Sequence, residues 1–248
     1  MTFTTPHDER RCASHATGRR AALGRLAATA TLACLAGPAT AQTPAPGSNR
    51  DLAPQEGVNF VRLSPPLPGA APGRIEVIEF FWYGCPHCNA FEPVLDPWSQ
   101  RQPADVAFRR VPVHFRERPF AAHQRLYYAL EATNQLEKLH RRVFYAIHSE
   151  RQALAEPEEA VAFVVRQGGD GDAFKAAWES FGVQTKVQQA RALATAYKID
   201  AVPAMGVAGR YYTSGPLAAA NGQATGPGAN ERMLVVVEHL VDRVRRGA

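Results

Sequence analysis

The sequence predicts an α/β fold in which a block of helices interrupts a set of strands. The run 75–82 is apolar, β-branched and aromatic apart from Glu76 and Glu79, which is typical of a strand buried on both faces of a sheet. From Pro119 the hydrophobic period becomes helical for about eighty residues. Strand patterns return only at 201–212. The 248 residues suit one large domain, or one domain with an insertion.

The first 41 residues have the layout of a secretory signal peptide. A basic lead precedes an apolar run at 26–37, and the small residues at 39–41 (Ala-Thr-Ala) form a cleavage site. The apolar run is too short for a permanent transmembrane helix. A twin-arginine signal at 19–20 and a lipoprotein acceptor at Cys34 are alternative processing routes, which we rank below ordinary secretion.

Removal of residues 1–41 changes both the charge and the cysteine content. The net charge of +5 falls because 23 basic and 21 acidic residues remain. These alternate along the chain as on a solvated surface, so we expect no nucleic-acid partner. Cys12 and Cys34 leave with the signal, and the remaining pair, Cys85 and Cys88, fits an oxidising compartment.

The motif Cys85-Pro86-His87-Cys88 follows directly on the predicted strand 75–82. Pro86 suits the first turn of a helix, which places Cys85 at the positive end of the helix dipole, where a thiolate is favoured. His87 adds positive charge nearby. The two-residue spacer lets Cys88 resolve a mixed disulfide formed by Cys85. We interpret the motif as a disulfide-exchange site.

Two other interpretations of the cysteine pair stay open from this motif alone. Half of a zinc site needs two further ligands, but no second cysteine pair or closely spaced Cys/His group follows. A purely structural disulfide would close so short a loop that it would stabilise little. Both are less favoured than redox chemistry.

The order of elements predicts a thioredoxin-like fold with an inserted all-helical domain. After the signal we expect a flexible arm at 42–57, then the thioredoxin-like domain in two parts, 58–116 and 197–248, around the insertion 117–196. The first part contains an edge strand at 58–63, the strand at 75–82, a helix from Cys88 and a strand at 106–115; Pro93 and Pro97 should kink that helix or end it early. The insertion contains five helices between 119 and 197, and Asp172 caps the fourth. The second part contains strands at 201–208 and 210–212, a surface loop at 214–230 and an amphipathic C-terminal helix.

Four histidines, at 114, 123, 140 and 148, lie in or just before the predicted insertion. None has metal-ligand spacing to a cysteine or carboxylate. We therefore interpret each as a surface histidine or a core histidine with its hydrogen bonds satisfied, and we expect no metal site.

Residues 79–88 (Glu-Phe-Phe-Trp-Tyr-Gly-Cys-Pro-His-Cys) and 202–205 (Val-Pro-Ala-Met), with the inserted helices between them, closely resemble the DsbA family of periplasmic thiol:disulfide oxidoreductases. The resemblance spans 58–246. It implies a periplasmic enzyme without a cofactor, in which Cys85 and Cys88 are the catalytic pair.

The resemblance also assigns roles around that pair. Pro86 and His87 tune the site so that its disulfide form is a strong oxidant. Glu79 matches a buried acid of raised pKa that relays the proton of Cys88; a strand-edge glutamate facing water is the alternative. Val202 and a cis Pro203 receive an extended substrate peptide by backbone pairing.

The partners implied by the resemblance are reduced secreted proteins, as substrates, and a quinone-linked membrane protein of the DsbB type that reoxidises the enzyme. We expect a monomer. Pro93 and the region 214–230 depart from the family pattern, which leaves the choice of partner open. A reductase or isomerase, and a peptide-binding chaperone whose disulfide is structural, are the competing functions.

Overall fold

The computed structural model describes residues 53–68, 73–116, 119–220 and 227–247. The predicted signal peptide at 1–41 and most of the predicted arm at 42–57 lie outside these residues, as do Cys12 and Cys34. The domain bounds assigned from the sequence stay predictions.

Five strands form one mixed sheet in the order β1-β5-β4-β2-β3. They are β1 (Val61–Arg62), β2 (Ile75–Phe81), β3 (Val106–Pro112), β4 (Ala204–Val207) and β5 (Tyr211–Ser214). Strand β2 pairs in parallel with β3 and antiparallel with β4. It therefore has a neighbour on each side, which agrees with its almost continuous apolar sequence.

Eight helices complete the described part of the chain: α1 (Pro86–Gln100), α2 (Phe120–Ala132), α3 (Leu136–His148), α4 (Pro157–Arg166), α5 (Gly171–Glu179), α6 (Phe181–Ala196), α7 (Gly215–Ala218) and α8 (Pro227–Arg245). Helices α2 to α6 lie between β3 and β4 in the sequence. The predicted thioredoxin-like fold with a helical insertion is confirmed.

Of the two effects predicted for the prolines of the first helix, a kink or an early end, the early end is wrong. Helix α1 runs through both Pro93 and Pro97 to Gln100. The two prolines are four residues apart and both are exposed, so they share the solvent-facing side of the helix. There water can bond the carbonyl groups that lose their N–H partners, and the helix continues.

Other boundaries also differ from the prediction. Strand β3 ends at Pro112, which lies opposite Phe81, the last residue of its partner strand β2. The cap of α5 is Asp170, whose carboxylate accepts a hydrogen bond from the Ala173 N–H at 2.9 Å, and not Asp172, which lies within the first turn. The predicted loop at 214–230 contains α7 and the start of α8.

The sheet separates two hydrophobic cores. On one face, Ile75 and Val77 of β2 belong to a cluster with side chains of α1 and α8. On the other, Ile78 and Phe80 belong to a cluster with side chains of the insertion. Alternate side chains of β2 thus pack into the two cores on opposite faces of the sheet. The carboxyl end of β2 lies where these two layers meet.

The close contact between Gly206 and Tyr197 gives a test of this packing. A Cβ atom at Gly206 in β4 would lie 2.5 Å from a ring carbon of Tyr197, whose hydroxyl accepts a hydrogen bond from the Gly209 N–H. We expect Gly206→Ala to lower the free energy of unfolding by ~1–3 kcal/mol through overpacking. Chemical denaturation measures this.

Gly182→Ala is the matched control, because a Cβ atom there meets nothing closer than 3.8 Å. It should unfold at the same or a slightly higher denaturant concentration than the parent protein, because alanine favours a helix more than glycine does. Equal midpoints for the two glycine variants would contradict the prediction.

Candidate active site

The site begins where β2 passes through the turn 82–84 into α1. Cys85 is the N-cap of α1, with an extended backbone, and Pro86 follows as the first helical residue. The Cys85 N–H donates to the Trp82 carbonyl at 2.9 Å. A Cβ atom at Gly84 would overlap the ring of Trp82, so the tight turn needs glycine there. The structure places Cys85 at a helix N-terminus, as the sequence predicts.

Cys85 and Cys88 are both free thiols in the structure, which describes the dithiol state. Cys85 is 7% exposed, whereas Cys88 has no exposed surface. Cys85 therefore presents the sulfur that another protein can reach.

The pKa values of the two thiols move apart. The pKa of Cys85 is lowered to about 6, chiefly because the Cys88 thiol donates a hydrogen bond to it, with further help from the backbone N–H groups of Cys88 and His87 and from the charge of His87. Burial is the main reason that the pKa of Cys88 is raised above its ordinary value. At neutral pH the pair is thus one thiolate and one thiol.

Val202 and Pro203 lie against the cysteines, although they are far away in the sequence. Their peptide bond is cis, which confirms that expectation. The carbonyl oxygen of Val202 lies 3.4 Å from the Cys85 sulfur, at a distance where a protonated thiol can donate to it. Beside them is a groove of about 410 Å³, lined by mostly apolar residues that include His87, Val202, Pro203, Pro216, Ala219 and Asn230.

Glu79 is completely buried, so the alternative of a glutamate facing water is wrong. It shares one cation with a second buried acid, since the Arg110 Nε lies 3.1 Å from Glu79 Oε2 and 3.2 Å from Glu92 Oε1. A second Arg110 nitrogen lies 3.1 Å from Glu92 Oε2, and His140 Nε2 lies 3.1 Å from Glu92 Oε1.

The two carboxyl groups consequently differ in charge. Burial first, and the negative charge of Glu92 second, raise the pKa of Glu79. Burial also opposes the ionisation of Glu92, but the hydrogen bond that His140 donates and the positive charge of Arg110 outweigh it, so the pKa of Glu92 is lowered. Glu92 carries the charge while Glu79 keeps its proton at higher pH. Glu79 and the dithiol also influence each other's pKa.

Sequence reasoning missed Glu92, Arg110 and His140 as members of the site. The polar pair Arg109-Arg110 within an apolar strand was the available signal. The register of the parallel pair β2–β3, which sets Glu79 beside Arg110, is needed to use that signal. His123 and His140 are buried and hydrogen-bonded, in agreement with their interpretation as satisfied core histidines.

Neither a metal site nor a membrane span is found in the parts of the chain that the structure describes. Within 53–68, 73–116, 119–220 and 227–247, no three histidine, cysteine or carboxylate side chains are close enough to hold a metal ion. Over the same ranges, no helix has the length and apolarity needed to cross a membrane.

A helix N-terminus that favours the thiolate of Cys85, a buried Cys88 and a cis proline beside them define a thiol:disulfide oxidoreductase of thioredoxin-like fold. Comparison with known proteins agrees. Residues 76–225 match the model of the DSBA-like thioredoxin domain, and the chain belongs to this family of thiol:disulfide oxidoreductases.

Similar proteins cover most of the chain. The thiol:disulfide interchange protein DsbA of Pseudomonas aeruginosa PAO1 is 40% identical over 192 residues, which are 77% of this chain and 86% of that protein. The DsbA of Azotobacter vinelandii is 42% identical over 76% of this chain and 84% of its own length. A crystal structure of Pseudomonas aeruginosa DsbA has a TM-score of 0.70 at 39% identity, covering 78% of this chain and 95% of that one.

The lowered pKa of Cys85 predicts how the reduced protein titrates. The ultraviolet absorbance of the thiolate should rise with a midpoint at about pH 6, and no second thiolate should appear below pH 9, because burial keeps Cys88 protonated. Cys85→Ser removes the first transition and serves as the control. A first midpoint at the ordinary value of 9.0 would contradict this account of the site.

The raised pKa of Glu79 predicts a pH-dependent stability. In the unfolded chain this carboxyl group ionises near its ordinary value of 4.5, whereas the folded protein keeps the proton to higher pH. Between the two pKa values the folded state binds more protons, so the contribution of Glu79 to the free energy of unfolding falls as the pH rises. The difference in unfolding free energy, parent minus Glu79→Gln, should therefore decrease from about pH 5 upward.

Glu76→Gln, on the same strand but partly exposed, measures the effect of removing a carboxylate outside the buried cluster. A parent-minus-variant difference for Glu79→Gln that is constant or increases with pH would show that the buried carboxyl group does not hold its proton.

Proposed function

We propose that this protein is a periplasmic dithiol oxidase, which donates its Cys85–Cys88 disulfide to newly secreted proteins. The observation that carries the proposal is the lowered pKa of Cys85 at the N-terminus of α1. A stabilised thiolate favours the reduced form of the enzyme, so the disulfide form takes electrons readily from other dithiols.

The oxidised enzyme reacts first at Cys85, because its sulfur is the accessible one. A substrate thiolate attacks this sulfur, the Cys85–Cys88 bond breaks, and a mixed disulfide between Cys85 and the substrate forms. Cys88 leaves as a thiolate in a buried site that disfavours its charge. Glu79, which holds a proton nearby, supplies it to Cys88.

A second thiolate of the substrate then attacks the substrate sulfur of the mixed disulfide. The substrate leaves with its own disulfide, and Cys85 leaves as the stabilised thiolate. Two electrons have passed from the substrate to the enzyme. A membrane partner of the DsbB type reoxidises the dithiol and passes these electrons to a quinone.

Val202 and Pro203 bind the substrate backbone beside the reacting sulfur. The Val202 carbonyl faces Cys85, and Pro203 has no N–H with which to continue a ladder inside the protein. An extended peptide in the adjacent groove can therefore pair with the backbone of this segment. Pro86 and His87 tune the redox equilibrium, His87 through its charge and its backbone N–H. The enzyme acts as a monomer and needs no cofactor.

The redox equilibrium of the purified protein with glutathione tests the oxidase function. The fluorescence of Trp82, which lies in the active-site turn, reports the two redox states. We expect an equilibrium far more oxidising than that of thioredoxin, with a difference of ~100 mV or more. A potential near that of thioredoxin would instead indicate a reductant.

A client assay separates the oxidase from a peptide-binding chaperone. Cys85→Ser should abolish the oxidation of a reduced, unfolded test protein, and Cys88→Ser should abolish it as well, because neither variant can form the internal disulfide that accepts the electrons. If Cys85→Ser assists the client as well as the parent protein does, the disulfide is only structural and the chaperone function is correct.

A further inference from the structure

Three histidines of the helical insertion contact the two residues that lead from β2 to the active-site helix. The indole N–H of Trp82 lies 2.9 Å from His123 Nδ1, and the Tyr83 hydroxyl lies 2.8 Å from His140 Nδ1. His148 Nε2 lies 2.8 Å from the carbonyl oxygen of Tyr83. The insertion therefore holds the active-site turn by polar contacts as well as by packing.

The partners of the second ring nitrogen determine the direction of these hydrogen bonds. His123 Nε2 lies 2.9 Å from the Ala153 carbonyl, and His140 Nε2 lies 3.1 Å from the Glu92 carboxylate. Both partners only accept, so both histidines carry their proton on Nε2. Each Nδ1 is then an acceptor, which receives the N–H of Trp82 or the O–H of Tyr83. Neutral histidine is the form that burial favours, and His123 and His140 are 2% and 5% exposed.

The turn that is held in this way is directly joined to the reactive cysteine. The Trp82 carbonyl accepts the Cys85 N–H at 2.9 Å, and Cys85 is the cap of α1. The position of the Cys85 sulfur relative to the N–H groups of His87 and Cys88 therefore depends on where the turn lies. The contacts belong to the dithiol state, since both cysteines are free.

We propose that His123 and His140 are positioning residues of the redox site, which hold the active-site turn as hydrogen-bond acceptors so that Cys85 keeps the geometry of its stabilised thiolate. The inference rests on the proposed oxidase function and assigns to the insertion a part in setting the redox equilibrium. Loosening the turn removes stabilisation from the reduced state, because in the disulfide state the sulfur is fixed by its covalent bond. The loosened enzyme is a weaker oxidant.

Paired substitutions at His140 separate its two contacts. Asparagine places an amide oxygen near the position of Nδ1 and keeps an acceptor for Tyr83, whereas glutamine places an amide N–H near Nε2 and keeps the donor to Glu92. Tyr83→Phe removes the hydroxyl and leaves the contact between His140 and Glu92 intact.

We expect His140→Gln and Tyr83→Phe to shift the glutathione equilibrium constant by about three- to ten-fold towards the oxidised protein. His140→Asn should stay within about two-fold of the parent. His123→Gln should shift the constant in the same direction as His140→Gln, and His123→Asn should not. Two controls are Tyr145→Phe, an exposed tyrosine on the same helix as His140, and His239→Gln on α8; neither should shift it.

Melting temperatures of both redox forms distinguish positioning from simple packing. If the melting temperatures fall equally in both forms and the equilibrium constant does not move, the histidines are only structural and the inference is overturned. A shift for His140→Asn but not for His140→Gln would also overturn it, because the contact with Glu92 would then govern the site.

Failure of the proposed function would look different from failure of this inference. A parent protein as reducing as a thioredoxin would refute the oxidase function. The comparison among the variants would still decide whether the insertion positions the redox site.

Discussion

The structure depends on placing one cysteine at the positive end of a helix and its partner one turn further into the protein. Cys85 has backbone N–H groups and the thiol of Cys88 around its sulfur, while Cys88 has none of its surface exposed. Two cysteines only three positions apart in the sequence therefore have opposite preferences for charge. This asymmetry gives the disulfide a defined point of attack and a defined leaving group.

The negative charge of the Cys85 thiolate disfavours further negative charge in the buried cluster beneath the dithiol. Two carboxyl groups and one guanidinium lie under the site, and Arg110 cannot neutralise Glu79 and Glu92 equally. His140 adds its hydrogen bond to Glu92 alone. The result is an ionised acid and a protonated acid side by side, a common way to keep a proton available in a buried site.

The sequence predicted those features that depend on local pattern. The strand β2 and the start of α1 follow from an apolar run and a first-turn proline, and these two elements are sufficient to place Cys85. The cluster beneath the site was not predictable in the same way, because Arg110 reaches Glu79 only through the pairing register of two strands. The roles of His123 and His140 depend on partners 41 and 57 positions away.

Errors in the predicted elements have local physical causes. The prolines of α1 suggested a break, but both lie on the exposed side, where the lost hydrogen bonds matter least. The composition of the segment before α8 suggested a loop, although Pro216 at the start of α7 is a favourable helix beginning. In each case the residue types alone suggested irregular structure. Whether a helix forms depended on where the proline lies, on the solvent-facing side of the helix or in its first turn.

The separation of 117 positions between Cys85 and Val202 has a consequence for how the chain folds. All five helices of the insertion lie between β3 and β4, and they pack largely against one another. Local contacts of this kind form quickly, whereas joining β2 to β4 requires closing a long loop. A folded insertion shortens that loop to the distance between its two ends, so the segment that separates the halves of the active site in the sequence also lowers the entropic cost of bringing them together.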